Sequence, residues 1–202
     1  EIGVQQGNSL KLWESFFTDL QLYGIDVDPT CKRYEKSRTH ISIGDQGSES
    51  FLRTFLAESG GNFDLVIDDG GHTMQQQITS FCVLFEAVKP GGMYIIEDLH
   101  TSYWPKFGGG LHRPHTTISF LKQVVSSLLS CPEPNEKKRI VSDPRFILPY
   151  SLVDYLNHRW FHGYHRAGKY ASRLPVSSLE QSIFSLHFYE GMGFIFKRED
   201  AI

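Results

Sequence analysis

Two short, largely apolar runs that end in acidic residues constrain this chain more than any other feature of its sequence. The runs occupy residues 63–67 and 93–96, and an acidic pair follows each of them directly. An apolar run of this length is typical of a strand that is covered on both faces of a parallel sheet. Open α/β sheets bind ligands at the C-terminal ends of their strands, so we expect both pairs to converge in one crevice. The four acids are Asp68, Asp69, Glu97 and Asp98.

A histidine, His72, follows the first acidic pair within a Gly-Gly-His segment. Thr73 then opens a helix, and Gln76 three residues later completes a capping box. The alternative interpretation is that the acids only cap turns and that His72 only caps this helix. Two acidic pairs and a histidine in one stretch favour a site over that alternative.

Strand and helix patterns alternate along the first hundred residues. Residues 1–7 have the pattern of a strand end and a glycine turn, and Asn8 or Ser9 is the candidate N-cap of the helix that follows. We predict further strands at residues 22–26, 40–45, 63–68 and 93–96, and helices at 49–58 and 73–88, the latter ended by Lys89-Pro-Gly-Gly92. The alternation predicts an α/β fold with a Rossmann-like, doubly wound, mostly parallel sheet. Residues 182–197 have the pattern of an antiparallel C-terminal hairpin that closes this sheet.

The 202 residues are expected to form a single domain, 1–202, with an insertion at about 105–172. The insertion interrupts the strand–helix alternation and contains an amphipathic helix near 116–130. We expect it to serve as a substrate wall, a lid or a contact between copies of the chain in a homo-oligomer. Because the sequence starts partway through a strand pattern, we also expect that an upstream segment is missing.

Charge and composition narrow the function classes. The net charge is −3, and no apolar run approaches membrane-spanning length. We therefore expect neither a nucleic-acid partner nor a membrane-bound chain. The three cysteines, Cys31, Cys82 and Cys131, lie far apart and match no thiolate metal motif, which favours a reduced, cytoplasmic setting.

The N-terminal segment has the pattern of a nucleoside-binding turn. Gly3 and Gly7 let a ligand approach the main chain in front of a helix N-terminus, with Glu1 at the strand end. A dinucleotide fingerprint would require glycine where Gln5 and Asn8 stand, which disfavours a dehydrogenase.

Acids at the next two strand ends extend this pattern. Asp26 suits bidentate recognition of ribose hydroxyls, although Asp28-Pro29 follows it and a turn-capping role is the alternative. Asp45 and Gln46 would then flank an adenine. A nucleoside without phosphates, held by acids and glycines, indicates S-adenosylmethionine. The candidate cofactor-binding residues are Glu1, Gly3, Gly7, Ser9, Asp26, Asp45, Gln46 and Asp68.

The order of these motifs over residues 1–104 and the terminal hairpin resembles the class I S-adenosylmethionine-dependent methyltransferases. It is most similar to the metal-dependent O-methyltransferases that modify deoxysugars on macrolide antibiotics, the mycinamicin-tailoring type. The resemblance implies that Asp69, Glu97 and Asp98 hold Mg²⁺ and that His72 is the catalytic base. Gly71 departs from the family, in which we expect serine at this position.

This chemistry is consistent with the residues. An alcohol must lose its proton to attack a sulfonium methyl, and a divalent cation with a nearby imidazole promotes that loss. Three carboxylates without cysteine favour Mg²⁺ over Zn²⁺. We expect methyl transfer to a hydroxyl of a small molecule, such as a glycosylated natural product or another vicinal diol. A metal-independent methyltransferase and a catalytically silent cofactor-binding subunit remain alternatives.

Three residues just after the second acidic pair, His100, Tyr103 and Trp104, are candidates for contacts to the acceptor. For Trp104, the alternative role is that of a buried anchor for the insertion.

Overall fold

A computed structural model describes residues 1–129, 179 and 182–199 of the chain. Its strands are β1 (Leu22–Asp26), β2 (Thr39–Ile43), β3 (Phe63–Asp68), β4 (Val88–Ile96), β5 (Ile183–Tyr189) and β6 (Met192–Lys197). Its α-helices are α1 (Asn8–Phe16), α2 (Glu49–Ser59), α3 (Met74–Leu84) and α4 (Thr117–Leu129). Short 3₁₀ helices cover Pro29–Tyr34, Phe85–Ala87, Leu99–Tyr103 and Pro105–Phe107.

A single residue, Ile2, joins the two halves of the sheet. It forms parallel bridges to Ile25 of β1 on one side and to Asp68 of β3 on the other. β1 pairs with β2 in parallel and β3 pairs with β4 in parallel, while β6 lies antiparallel between β4 and β5. The strand order is therefore β2-β1-Ile2-β3-β4-β6-β5, which confirms the mostly parallel sheet closed by an antiparallel hairpin.

Apolar clusters cover both faces of this sheet. One cluster joins α2, α3 and α4 to β3, β4 and the hairpin, with Phe81, Tyr94 and Ile195 at its centre. A smaller cluster of Val4, Leu10, Leu22, Cys31 and Ile41 joins α1 and the 29–34 segment to β1 and β2. Along β1 the residues alternate, because Leu22 belongs to the smaller cluster and Ile25 to the larger. The sheet is doubly wound, as predicted.

Local capping explains where α2 and α3 begin. The Ser48 side chain accepts from the Phe51 N–H, and Gly60 ends α2 in a left-handed conformation. The predicted capping box is present at α3, where Thr73 and Gln76 satisfy each other's backbone N–H groups. Met74 is buried in the core, as expected from the apolar stripe of α3.

Two local predictions are wrong. The N-cap of α1 is Gly7 in a left-handed conformation without a side-chain cap, whereas Asn8 and Ser9 already belong to the helix. α3 ends at Leu84, and Val88 with the following Lys-Pro-Gly-Gly segment belongs to β4. The pairing of β3 with β4 shifts register between Phe63 and Leu65, which shows that β4 accommodates the Pro-Gly-Gly segment as an irregularity of the strand.

The insertion is described only in its first part. Residues 105–129 include α4, which confirms the helix predicted near 116–130. The rest of the predicted insertion, residues 130–172, and Cys131 lie outside the described residues. Among the residues that the structure describes, no helix has the length and apolar character needed to cross a bilayer.

We expect Ile2→Ala to destabilise the chain strongly, because Ile2 is 2% exposed and packs where both halves of the sheet meet. Loss of a buried Ile side chain costs about 2–5 kcal/mol in free energy of unfolding. Urea denaturation checks this, with Leu12→Ala on the exposed face of α1 as the matched control. If Ile2→Ala lowers the free energy of unfolding no more than Leu12→Ala does, the packing of Ile2 does not hold the two halves of the sheet together.

Candidate active site

The register of β3 and β4 brings the two acidic pairs together. Asp68 pairs with Ile96 across the two parallel strands, and the Glu97 N–H donates to the Asp68 carbonyl at 2.9 Å. The residues that follow, Asp69 and Asp98, therefore leave the sheet at the same edge. The predicted convergence at the strand ends is confirmed for Asp69 and Asp98, whereas the Asp68 side chain is fully buried beneath them.

His72 reaches into this crevice from the start of α3. Its Nε2 lies 3.8 Å from Oδ1 of Asp69 and 3.6 Å from Oδ2 of Asp98. One ligand atom from each of these three residues lies within 4.8 Å of the others. The His72 ring is largely buried, and its buried Nδ1 has no hydrogen-bond partner among the described residues. The imidazole therefore presents one nitrogen to the two carboxylates.

The backbone at His72 and at Asp98 adopts an unusual conformation. His72 has a φ of 57° and Asp98 a φ of 54°, both in the left-handed region. The buried Thr101 hydroxyl lies 3.1 Å from the His72 carbonyl and 2.7 Å from the Asp98 carbonyl, and thus ties the two turns together. Sequence reasoning missed Thr101, although its place three residues after an acidic pair was an available signal.

Crowding of like charges shapes the acidic crevice. Burial raises the pKa of Asp69, and the nearby Asp98 raises it further while His72 lowers it. Burial, followed by Asp69 and Asp98, also raises the pKa of Glu97. The charges of Asp69, Glu97 and Asp98 therefore repel one another, and a positive charge among them would relieve this repulsion.

A buried hydrogen-bond network lies beneath the crevice. Asp68 is fully buried and accepts from Gln46 Nε2 at 2.9 Å, from the Ser80 hydroxyl and from the Tyr94 hydroxyl. Burial raises the pKa of Asp68 above its ordinary value, against these hydrogen bonds. The other end of the Gln46 amide accepts from the Gly71 N–H at 2.7 Å.

This network fixes the loop that carries Asp69 and His72. A Cβ on Gly70 would stand 1.8 Å from Oε1 of Gln46, so the loop lies directly against the amide. Asp68 and Gln46 were predicted to bind the cofactor. In the structure, both side chains form hydrogen bonds with other groups of the protein.

Glu1 and Ser9 meet at the N-terminal turn. The Glu1 carboxylate accepts from the Ser9 hydroxyl and, at 2.7 Å, from the Trp13 indole N–H. Gly3 has a φ of 90°, and a Cβ there would stand 2.0 Å from the Asp69 carbonyl oxygen. Close contact with the acidic loop therefore requires glycine at this position, independently of any ligand.

Asp26 holds the glycine turn from the adjacent strand end. Its Oδ2 accepts from the N–H groups of Val4 and Gln5, both at 2.9 Å, and its Oδ1 accepts from Asp28 at 2.8 Å. Burial raises the pKa of this carboxyl, but these donors outweigh burial and the pKa lies below its ordinary value. Oδ1 retains acceptor capacity for a further donor.

Asp45 is exposed, and its Oδ1 accepts from the Gly47 N–H at 2.8 Å. The structure thus brings ligand atoms of Asp69, His72 and Asp98 into direct proximity, whereas the Glu97 carboxylate, which directly follows β4, is not part of this group. It places Glu1, Gly3, Gly7, Ser9 and Asp26 around the N-terminal turn, and Asp45 at the adjacent strand end.

A second residue that sequence reasoning missed is Gln77, which is fully buried on α3. Its Nε2 donates to the Glu97 carbonyl at 2.8 Å, and its Oε1 accepts from the Thr117 hydroxyl at 2.8 Å. A polar residue beside the apolar stripe of a helix was the available signal.

Known proteins resemble this chain in sequence and in fold. The family described as a methyltransferase domain matches residues 1–99, which contain the glycine turn and all four acids. This part of the chain is a methyltransferase domain. The chain is also 30% identical in sequence to a solved structure titled MycE methyltransferase in complex with Mg, SAH and mycinamycin VI, with a TM-score of 0.68. That match covers 98% of this chain and 44% of the other, and the shared fold is that of the class I methyltransferases.

Curated proteins with similar sequences are named as O-methyltransferases. The chain is 32% identical over 196 residues to 8-demethyl-8-alpha-L-rhamnosyl tetracenomycin-C 2'-O-methyltransferase of Streptomyces olivaceus, covering 96% of this chain and 42% of that protein. It is 38% identical over 136 residues to mycinamicin VI 2''-O-methyltransferase of Micromonospora griseorubida, covering 66% of this chain and 34% of that protein. The chain therefore spans less than half the length of these relatives.

We expect Gln46→Leu to destabilise the methyltransferase domain by about 1–3 kcal/mol, because it removes the acceptor of the Gly71 N–H and one of the donors to the buried Asp68 carboxylate. Chemical denaturation measures this, and Gln21→Leu at an exposed position is the matched control. Equal stability of the two variants would contradict the supporting role of the Gln46 amide.

Proposed function

We propose that this chain is an S-adenosylmethionine-dependent O-methyltransferase that transfers a methyl group to a hydroxyl of a small molecule, with Mg²⁺ as a second cofactor. The observation that carries the proposal is the position of His72 Nε2, 3.8 Å and 3.6 Å from two carboxylates at neighbouring strand ends. An imidazole so placed is suited to accept a proton from a hydroxyl held at the acids.

The relatives support the acceptor class. Their names describe O-methyltransferases of a rhamnosyl tetracenomycin, of mycinamicin VI and of an olivosyl oleandolide. Because this chain spans less than half of their length, its acceptor is proposed from these names only as a class. That class is a vicinal-diol-containing small molecule, with a glycosylated natural product as its foremost example.

The donor set suits Mg²⁺. Asp69, Glu97 and Asp98 supply hard oxygen ligands, and burial together with the neighbouring carboxylates raises the pKa of Asp69 and of Glu97. Such carboxylates bind a divalent cation with relief of their mutual repulsion. We propose these three acids as the metal ligands. The proximity of His72 to Asp69 and Asp98 also makes its Nε2 a competing ligand.

The residues of the chain have distinct proposed roles in the reaction. Mg²⁺ held by Asp69, Glu97 and Asp98 would make the acceptor hydroxyl more acidic. His72 Nε2 accepts the hydroxyl proton, and Thr101 holds the two turns that carry His72 and Asp98 at a fixed separation. Gln46 and Asp68 keep the intervening loop against the sheet. The chain thus contributes orientation and a positioned base.

We propose that the cofactor occupies the N-terminal turn. The N–H groups of this turn are already ordered by Asp26, whose Oδ1 retains acceptor capacity for a ribose hydroxyl. Exposed Asp45 at the next strand end is available to the adenine side. Gly3 abuts the backbone of Asp69, so a cofactor on this turn lies next to the acidic crevice. We propose Glu1, Gly7 and Ser9 as the remaining parts of this cofactor site.

The proposal includes a cytoplasmic setting without a nucleic-acid partner. Cys31 and Cys82 are free and buried, and the net charge is −3. We also propose that copies of the chain assemble into a homo-oligomer through the insertion.

We expect Asp69→Asn and Asp98→Asn to abolish detectable Mg²⁺ binding and methyl transfer while cofactor binding persists, because each removes one of the clustered charges. Isothermal titration with Mg²⁺ and with S-adenosylhomocysteine separates these effects. Asp64→Asn is the matched control, because Asp64 lies exposed at the opposite end of β3 and pairs with Lys89.

Binding and turnover measurements together distinguish the three hypotheses for the function of the chain. Turnover that survives EDTA would exclude the Mg²⁺-assisted mechanism and favour a metal-independent methyltransferase. Cofactor binding without turnover on any acceptor would favour the catalytically silent subunit.

We expect His72→Ala to lower kcat by about 10²–10⁴-fold, the range typical of a lost general base, with unchanged Mg²⁺ affinity. Steady-state kinetics and Mg²⁺ titration check this, and His40→Ala at an exposed position is the control. A large fall in Mg²⁺ affinity would instead identify His72 as a metal ligand.

A further inference from the structure

A cavity lies between α4, the Leu99–Tyr103 segment and the tip of the β5–β6 hairpin. Its volume is about 740 Å³. The walls are largely apolar and aromatic: they include His100, Tyr103, Ile118, Val125, Phe188 and Tyr189. A cavity of this size and lining suits a small organic ligand with an apolar body.

The cavity adjoins the acidic crevice. His100 lines the cavity, and its Nδ1 lies 3.9 Å from Oδ1 of Asp98. The hairpin tip is held here, because the Leu99 N–H donates to the Gly191 carbonyl at 2.8 Å. One imidazole ring therefore separates the cavity from the carboxylates, which places the two sites within the span of one small molecule.

The rings in this cavity have large solvent-exposed areas. Among the described residues, Tyr103 is 46%, Phe188 47% and Tyr189 66% exposed. Trp104 is 50% exposed and packs edge-on against His100 at 4.6 Å between ring centroids, so it is not a buried anchor within the described part of the chain. Three exposed aromatic rings that converge on a cavity beside an acidic site indicate a contact surface for a ligand.

We propose that this cavity binds the apolar aglycone of a glycosylated acceptor whose sugar hydroxyl lies at the acids. The inference rests on the proposed function and deepens it, because it assigns the two parts of the acceptor to two adjoining sites. The sugar faces His72, Asp69 and Asp98, whereas the aglycone packs on Phe188 and Tyr189. The polar crevice and the apolar cavity thus match the amphipathic character of such a molecule.

The arrangement makes the aromatic rings specificity determinants rather than catalytic residues. Tyr189 also packs edge-on against Phe194 at 5.3 Å, which orients its ring on the hairpin. Burial of an apolar aglycone on these rings strengthens binding of the whole acceptor without contact to the reacting atoms. Truncation of the rings is therefore expected to weaken binding of glycosides with large aglycones and to spare simple glycosides.

A pair of probes tests this directly. We measure dissociation constants of the full chain for 4-nitrophenyl α-L-rhamnopyranoside and for methyl α-L-rhamnopyranoside, with Mg²⁺ and S-adenosylhomocysteine present. We expect the aryl glycoside to bind about tenfold tighter, because it buries an additional ring. The double variant Phe188→Ala/Tyr189→Ala is expected to bring the ratio close to one.

Two further variants keep the test independent of folding effects. Ser126→Trp places a bulky ring in the cavity from the exposed face of α4 and is expected to remove the preference as well. Phe184→Ala is the matched control, because Phe184 is 67% exposed on the same strand but does not line the cavity. It is expected to preserve the tenfold ratio.

Equal affinity of the wild-type chain for the two glycosides, or a preference that survives both cavity variants, would overturn the inference. Methyl transfer is assayed separately on the same glycosides. Failure of transfer together with the expected binding ratios would count against the proposed function, while the ratios would still support the cavity as the aglycone site.

Discussion

Parallel pairing between β3 and β4 is the constraint on which the candidate site depends. With Asp68 opposite Ile96, the backbone hydrogen bond from Glu97 to Asp68 fixes the ends of both strands. Every acid of the crevice leaves the sheet within two residues of that bond. A shift of one residue would exchange the faces of β4 and separate the carboxylates. The core residue Tyr94 and the acids therefore depend on the same register.

The crevice also depends on polar groups whose hydrogen bonds lie within the protein. Gln46 joins the end of the β2 region to the acidic loop, Thr101 joins that loop to the turn after β4, and Gln77 holds the Glu97 carbonyl from α3. These buried groups are satisfied within the protein, which makes their loss costly. Like charges remain together at this edge because the supporting network allows them little freedom to separate.

Periodicity and strand ends in the sequence predicted the α/β fold, the hairpin and the convergence of the acids. These features follow from local patterns and from a general property of parallel sheets. Asn8 and Ser9 failed as caps because the left-handed Gly7 starts α1 by its backbone alone. The side-chain partners of Gln46 and Asp68 also escaped prediction. An amide at a strand end has the same sequence signature whether it points to a ligand or into the core, and only packing decides between them.

The left-handed conformations of His72 and Asp98 have a wider consequence. A non-glycine residue in this region carries a steric cost of about 1–2 kcal/mol, which glycine would avoid. The chain thus retains a backbone that opposes stability at two of the side chains proposed for the site. Selection for thermal robustness alone would favour glycine at both positions and so remove the imidazole and a carboxylate. Stabilising this scaffold by consensus-type redesign would need to exempt these two turns.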